Sequence, residues 1–132
     1  MINEQSLMEL ALQAREKAYA PHSGYAVGAA LLGEDGQVFL GCNVENSSYS
    51  ATCCAERTAF CKAVSEGVTS FSAIAVAGGT QGSAPDTFFM PCGICRQVMR
   101  EFCNDDFVIF VTDGKEIRRW TLKELLPDGF RL

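Results

Sequence analysis

The chain has 132 residues, 48% of them apolar and 20% charged, a length and balance that suit one globular domain with a sizeable core and exclude a disordered or low-complexity chain. A formal net charge of −5 gives no overall attraction to phosphate backbones or anionic membranes, so neither a nucleic-acid nor a membrane partner is expected. The longest apolar runs, Val27–Leu32 and Phe107–Val111, fall far short of the ~20 residues a membrane helix requires.

Glu4 and Glu9 stand where a secretory signal would carry basic residues, so the first segment reads as part of the mature fold. Leu7, Leu10, Ala11, Ala14 and Ala18 recur at helical spacing, with Asn3 or Ser6 as the cap and Pro21 beyond the end, which predicts a helix over 4–19. Val27–Leu32 and Val38–Val44, separated by Glu34-Asp35-Gly36, predict a β-hairpin. A polar loop, 45–52, leads to a second helix over 54–66, stopped by Gly67.

Phe71–Ala77 is a short apolar strand of the kind buried on both faces. A Gly/Pro-rich connection, 78–91, precedes a third helix over 92–103 and a buried strand over 107–111. Asp113-Gly114 turns into a strand over 117–121, and 122–126 is a last short helix before Pro127. Strand, helix, strand, helix, strand implies parallel crossovers. The expectation is a single domain spanning 1–132, an α/β fold built as a three-layer α/β/α sandwich with a mixed five-stranded sheet.

Seven cysteines, at 42, 53, 54, 61, 92, 95 and 103, are an odd number that fits disulfide pairing poorly and suits a reducing, cytoplasmic setting. Cys92-Gly93-Ile94-Cys95 places two thiols on one side of a first helical turn behind Pro91, where the helix dipole favours thiolate. Cys54 opens the second helix in the same way. Three thiols that converge would bind one metal and leave its fourth position open, the pattern of a catalytic zinc site. Glu56, in the same turn as Cys54, would then be free to carry protons. A redox dithiol, or a structural zinc module that only binds partners, is the competing reading of the C-x-x-C; Glu56 and the missing fourth ligand speak against the module.

Three motifs carry a resemblance: C-A-E-R-T-A at 54–59, P-C-G-x-C-R-Q at 91–97 and G-C-N-x-E-N at 41–46. Together with Ala20-Pro21-x-Ser23, Val27-Gly28-Ala29-Ala30 and Leu125-Leu126-Pro127-x-x-Phe130, they resemble the short cytidine deaminases that act on free nucleosides, from about Ala18 to Phe130. The resemblance implies that Cys54, Cys92 and Cys95 bind Zn2+, which activates water for attack at C4 of cytosine, and that Glu56 shuttles protons as ammonia leaves. Arg57 would offset part of the three-thiolate charge.

Asn43 and Glu45 lie on one side by period-two alternation, and the resemblance gives them the ribose 3′-hydroxyl. By the same resemblance Tyr25, where Phe is usual, stacks near the pyrimidine. The Ala55 backbone N–H meets its O2, and the loop through Tyr49 closes over the site. Phe130 reaches a neighbouring subunit's substrate in a homotetramer. His22, Gly24, Met90 and Ile94 depart from the usual residues at the entry to the site. The implied activity is hydrolytic deamination of cytidine and 2′-deoxycytidine to uridine and 2′-deoxyuridine in pyrimidine salvage.

Overall fold

The computed structural model describes residues 2–132. In chain order it holds α1 (Glu4–Arg15), β1 (Tyr25–Gly33), β2 (Val38–Cys42), a 3-10 turn (Tyr49–Ala51), α2 (Ala55–Ser65), β3 (Phe71–Thr80), α3 (Gly93–Phe102), β4 (Val108–Thr112), β5 (Ile117–Thr121) and α4 (Leu122–Leu125). The five strands form one sheet in the order β2-β1-β3-β4-β5. Only β3 and β4 pair in parallel; the other neighbours are antiparallel.

Alternation along β1 builds the three layers. Val27, Ala29 and Leu31 belong to the apolar cluster shared with α2, α3 and α4, whereas Ala30 and Leu32 join Leu7, Met8 and Ala11 of α1 on the opposite face. The sheet is therefore covered on both sides, which is why β1, β3 and β4 read as nearly continuous apolar runs.

Two glycines set how closely helices lie on it. A Cβ at Gly28 would fall 2.0 Å from the Ala11 carbonyl oxygen of α1, and one at Gly41 would fall 2.4 Å from the Ala55 oxygen of α2. Only a residue without a side chain admits such backbone approach.

Topology then gathers the site. β2 and β3 both run antiparallel to β1, which lies between them, so they point the same way. Helices α2 and α3 follow those strands and begin beyond the same end of the sheet, and β1 starts at that end. Crevices outside the carboxyl ends of strands are where open α/β sheets collect ligands.

Several element ends differ from the sequence expectation, β1 among them, which starts at Tyr25 and not Val27. Helix α1 ends at Arg15, not 19: the Lys17 and Ala18 N–H groups bond three residues back, and the Tyr19 N–H leaves the helix to donate to the Asn43 carbonyl, pairing Tyr19 with Val44. Strand β2 stops at Cys42; Val44 continues only as single bridges to Tyr19 and Cys53. Strand β3 runs on through Gly78 and Gly79 to Thr80 because β1 keeps pairing with it as far as Tyr25, while the Phe89 ring occupies the space where a Gly78 side chain would stand. The 45–52 loop contains a 3-10 turn, Tyr49–Ala51.

Candidate active site

Cys54 and Cys92 are the N-caps of α2 and α3, both extended in backbone and with no side-chain capping bond. Their thiols replace the hydroxyl or carboxylate that such positions favour, so the sulfurs are left for one another. Cys95 sits three residues into α3 and is fully buried. The Cys92–Cys95 sulfur separation is 3.6 Å and that of Cys54–Cys92 is 3.9 Å, and all three sulfurs lie within 4.8 Å of one another. Three thiolates at ~2.3 Å from a tetrahedral zinc ion would stand about 3.8 Å apart, so the donor set fits that metal with one position to spare.

The metal-free cluster shares its charge unequally. Cys54 is drawn down to about 5 by the Cys95 thiol, which donates to it, and then by Arg57 and Cys92. Cys95 is pushed far up by that same partnership with the Cys54 thiolate and by burial. A metal is bound by thiolates, so its binding releases whatever protons the three sulfurs hold. Arg57 lies over it, donating to the Thr52 carbonyl at 2.9 Å and approaching the Cys54 sulfur at 3.7 Å. The Cys54 thiolate holds its guanidinium pKa above the ordinary value, and its buried Nε has no acceptor among the described residues.

Glu56 is 3% exposed. Burial first, then repulsion from the Cys54 thiolate, pushes its carboxyl up to about 7, the range in which one group both accepts and returns a proton near neutrality. Nothing in the spacing alone reveals that tuning; it follows from Ala55, Glu56 and Ala59 lying against the sheet.

A cavity of about 350 Å³ opens in front of these groups, with Cys54, Ala55, Glu56 and Cys92 at its floor. Tyr25, Val27, Asn43 and Glu45 form one wall, Phe89 and Met90 another. It is of a size for a small ligand, with a largely apolar lining and a few placed polar groups. Phe89 was not singled out from sequence, although the Phe88-Phe89 pair just before Pro91-Cys92 is the available signal; its ring lies 6.4 Å from that of Tyr25.

Asn43 and Glu45 do share a side and are buried, with Val44 turned outward. Most of the Asn43 amide is spent on β1, accepting from Val27 N at 2.9 Å and donating to the Tyr25 carbonyl at 2.8 Å, which leaves one N–H for a ligand. Glu45 accepts from the backbone N–H groups of His22 and Ser23 and from the Ser23 hydroxyl, bonds that hold its carboxyl below the ordinary range.

Tyr49 and Phe130 stand apart from this cavity. Tyr49 is 78% exposed, edge-on to His22 across a neighbouring hollow that Glu45 also lines, and Phe130 is 67% exposed, its carbonyl held by Gln97 of α3.

A sulfur trio with one open ligand position, a buried carboxyl beside it and a helix-capped crevice define a zinc-dependent hydrolytic site on an α/β scaffold. The comparisons narrow that class. Residues 1–111 match the family model described as the cytidine and deoxycytidylate deaminase zinc-binding region. The chain is 54% identical to the cytidine deaminase of Sporosarcina psychrophila over 119 residues, covering 89% of this chain and 84% of that one. It is 48% identical to the cytidine deaminase of Halalkalibacterium halodurans over 130 residues, 98% and 95% of the two chains. The crystal structure of cytidine deaminase from Burkholderia pseudomallei superposes with a TM-score of 0.88 at 46% identity, covering 98% of this chain and 100% of the other. This chain belongs to the cytidine deaminase family, whose metal is zinc.

Proposed function

We propose that the protein deaminates cytidine and 2′-deoxycytidine to uridine and 2′-deoxyuridine with release of ammonia, as a homotetramer serving pyrimidine salvage. The observation that carries the chemistry is a cavity lined by the buried Glu56 and by Cys54 and Cys92, whose sulfurs cluster with that of the buried Cys95 behind it. Zinc held by those thiolates supplies Lewis-acid activation of the water nucleophile. Glu56 accepts one proton of the attacking water and hands it to ring N3, then carries the remaining hydroxyl proton to the amino nitrogen as the C4–N bond breaks and the C4 carbonyl forms, one carboxyl serving as base and then acid. Arg57 offsets the negative charge of the sulfurs without touching substrate.

Tyr25 and Phe89 flank the pyrimidine, and the Ala55 N–H, at the first residue of α2 and directed out of the helix, suits a carbonyl oxygen such as O2. Asn43 and Glu45 take the ribose 3′-hydroxyl, with Glu45 as an ionised acceptor. Tyr49, Phe130 and Ile94, all more than half exposed, are apolar surfaces left for neighbouring subunits, with Phe130 entering a neighbour's site. The purified protein is expected to lower cytidine ultraviolet absorbance, and Glu56→Gln to keep near-stoichiometric zinc while losing nearly all turnover. A Glu56→Gln enzyme within tenfold of the parent would remove Glu56 from the mechanism.

A further inference from the structure

The loop that precedes β1 does more than enter the sheet. A turn over 20–24 brings the Gly24 N–H to the Ala20 carbonyl at 3.2 Å, and Gly24 itself, at φ +73°, redirects the chain into β1. That turn aims the His22 and Ser23 N–H groups at the same Glu45 oxygen, Oε1, at 2.8 and 3.0 Å. The Ser23 hydroxyl donates to the other oxygen, Oε2, and accepts from Tyr25 N–H at 3.0 Å.

A carboxylate offers about four acceptor positions. Three are filled by this loop, so one remains for a ligand in the cavity that Ser23, Tyr25 and Glu45 all line. The backbone pair holds one oxygen; Ser23 alone holds the other. Its proton is committed to the carboxylate because its oxygen already receives the Tyr25 amide.

We infer that Ser23 is a positioning residue for substrate binding: its hydroxyl fixes the Glu45 carboxylate so that the last acceptor position meets the nucleoside's 3′-hydroxyl, and it couples that position to the backbone that carries Tyr25. This rests on the reading of Glu45 as the sugar acceptor. Ser23 touches neither the sulfurs nor Glu56, so its effect belongs in substrate affinity and not in the chemical step.

The test pairs protein variants with cytidine and 3′-deoxycytidine, using zinc-loaded enzyme throughout. Loss of a hydrogen bond to a charged group predicts that Ser23→Ala raises KM for cytidine about tenfold with kcat within about twofold. For 3′-deoxycytidine, which lacks the hydroxyl in question, the two enzymes should differ by less than about twofold, again because only that bond is at stake. Ser23→Thr keeps the hydroxyl and should restore cytidine KM, whereas Ser23→Cys, close in size with a weak donor, should behave like alanine. Equal losses on both nucleosides in Ser23→Ala and Ser23→Cys would show a merely structural role and overturn the inference. Glu45→Gln separates the two layers: if it discriminates between the nucleosides and the Ser23 variants do not, Ser23 is wrong and the sugar reading stands; if Glu45→Gln costs both nucleosides equally, the sugar reading fails and takes the inference with it.

Discussion

Glu56 illustrates how one side chain can be tuned by where its helix lies. Its folded-state pKa of about 7 exceeds the ordinary 4.5, so its contribution to stability is full below pH 4.5 and is lost as pH rises through 7. In the metal-free protein Glu56→Gln should therefore match the parent at low pH and exceed it above pH 7, by a margin on the order of 3 kcal/mol, as read by denaturant unfolding at several pH values. The adjacent cysteines make a second residue-level prediction. Cys54 faces the other ligands, while the Cys53 sulfur accepts from the Thr58 hydroxyl at 3.4 Å. Cys53→Ala should retain zinc by elemental analysis and Cys54→Ala should lose it; the reverse pattern would exchange their roles.

The pairing of sulfurs at 92–95 was legible because it is local: two thiols three apart behind a proline at a helix start fall on one side of a turn, although that spacing alone left a redox dithiol open. Convergence with Cys54 was open to expectation because both crossover helices start beyond strand ends, but spacing does not encode that β2 and β3 point the same way, on which it depends. The Ser23 bonds to Glu45 were hidden for the same reason.

At the level of elements, the Gly41 contact is the support on which the site's geometry depends. The glycine of G-C-N-x-E-N reads as a generic strand residue in sequence, yet a methyl group there would meet the Ala55 oxygen at 2.4 Å and the Ala59 nitrogen at 2.6 Å. Both are backbone atoms, so no rotamer change relieves the clash and α2 itself must shift. Gly41→Ala should cost at least the 1–3 kcal/mol or so typical of overpacking and, because α2 carries Cys54 and Glu56, should also reduce zinc content in protein that still folds. A stable Gly41→Ala enzyme with full zinc would mean that α2 can ride higher on the sheet than its packing suggests. The strands of the core were readable from their apolar runs; their ends were not. β3 continues through two glycines because a partner strand is there to bond them, and α1 stops early because the Tyr19 N–H has the Asn43 carbonyl to reach.

For the whole molecule, the proposed tetramer makes the cavity of one chain an incomplete site. Light scattering after gel filtration should give four times the chain mass, and Phe130→Ala should raise KM more than it disturbs zinc content. A fully active monomer at assay concentration would leave Phe130 and Tyr49 without the role given to them. Substrate range follows from the charge on Glu45, whose carboxylate would oppose a 3′-phosphate across a poorly screened pocket. Cytidine 3′-monophosphate and oligonucleotides should therefore be poor substrates beside cytidine, as measured by kcat/KM; equal values would displace Glu45 from the sugar.

The thiols that cap α2 and α3 are 38 residues apart in the chain, with all of α2 and β3 between them. A metal bridging them is a staple as well as a reagent: it closes a long loop whose ends would otherwise wander in the unfolded chain. A covalent tie across a loop of that length would remove roughly 4 kcal/mol of unfolded-state entropy on the chain-entropy account, and a metal bridge stabilises the fold by its own binding free energy, which grows with the free metal concentration. Chelation should consequently do more than silence the enzyme. It should lower the melting temperature, loosen the two helix starts first in hydrogen exchange, and make storage life depend on the zinc content of the buffer.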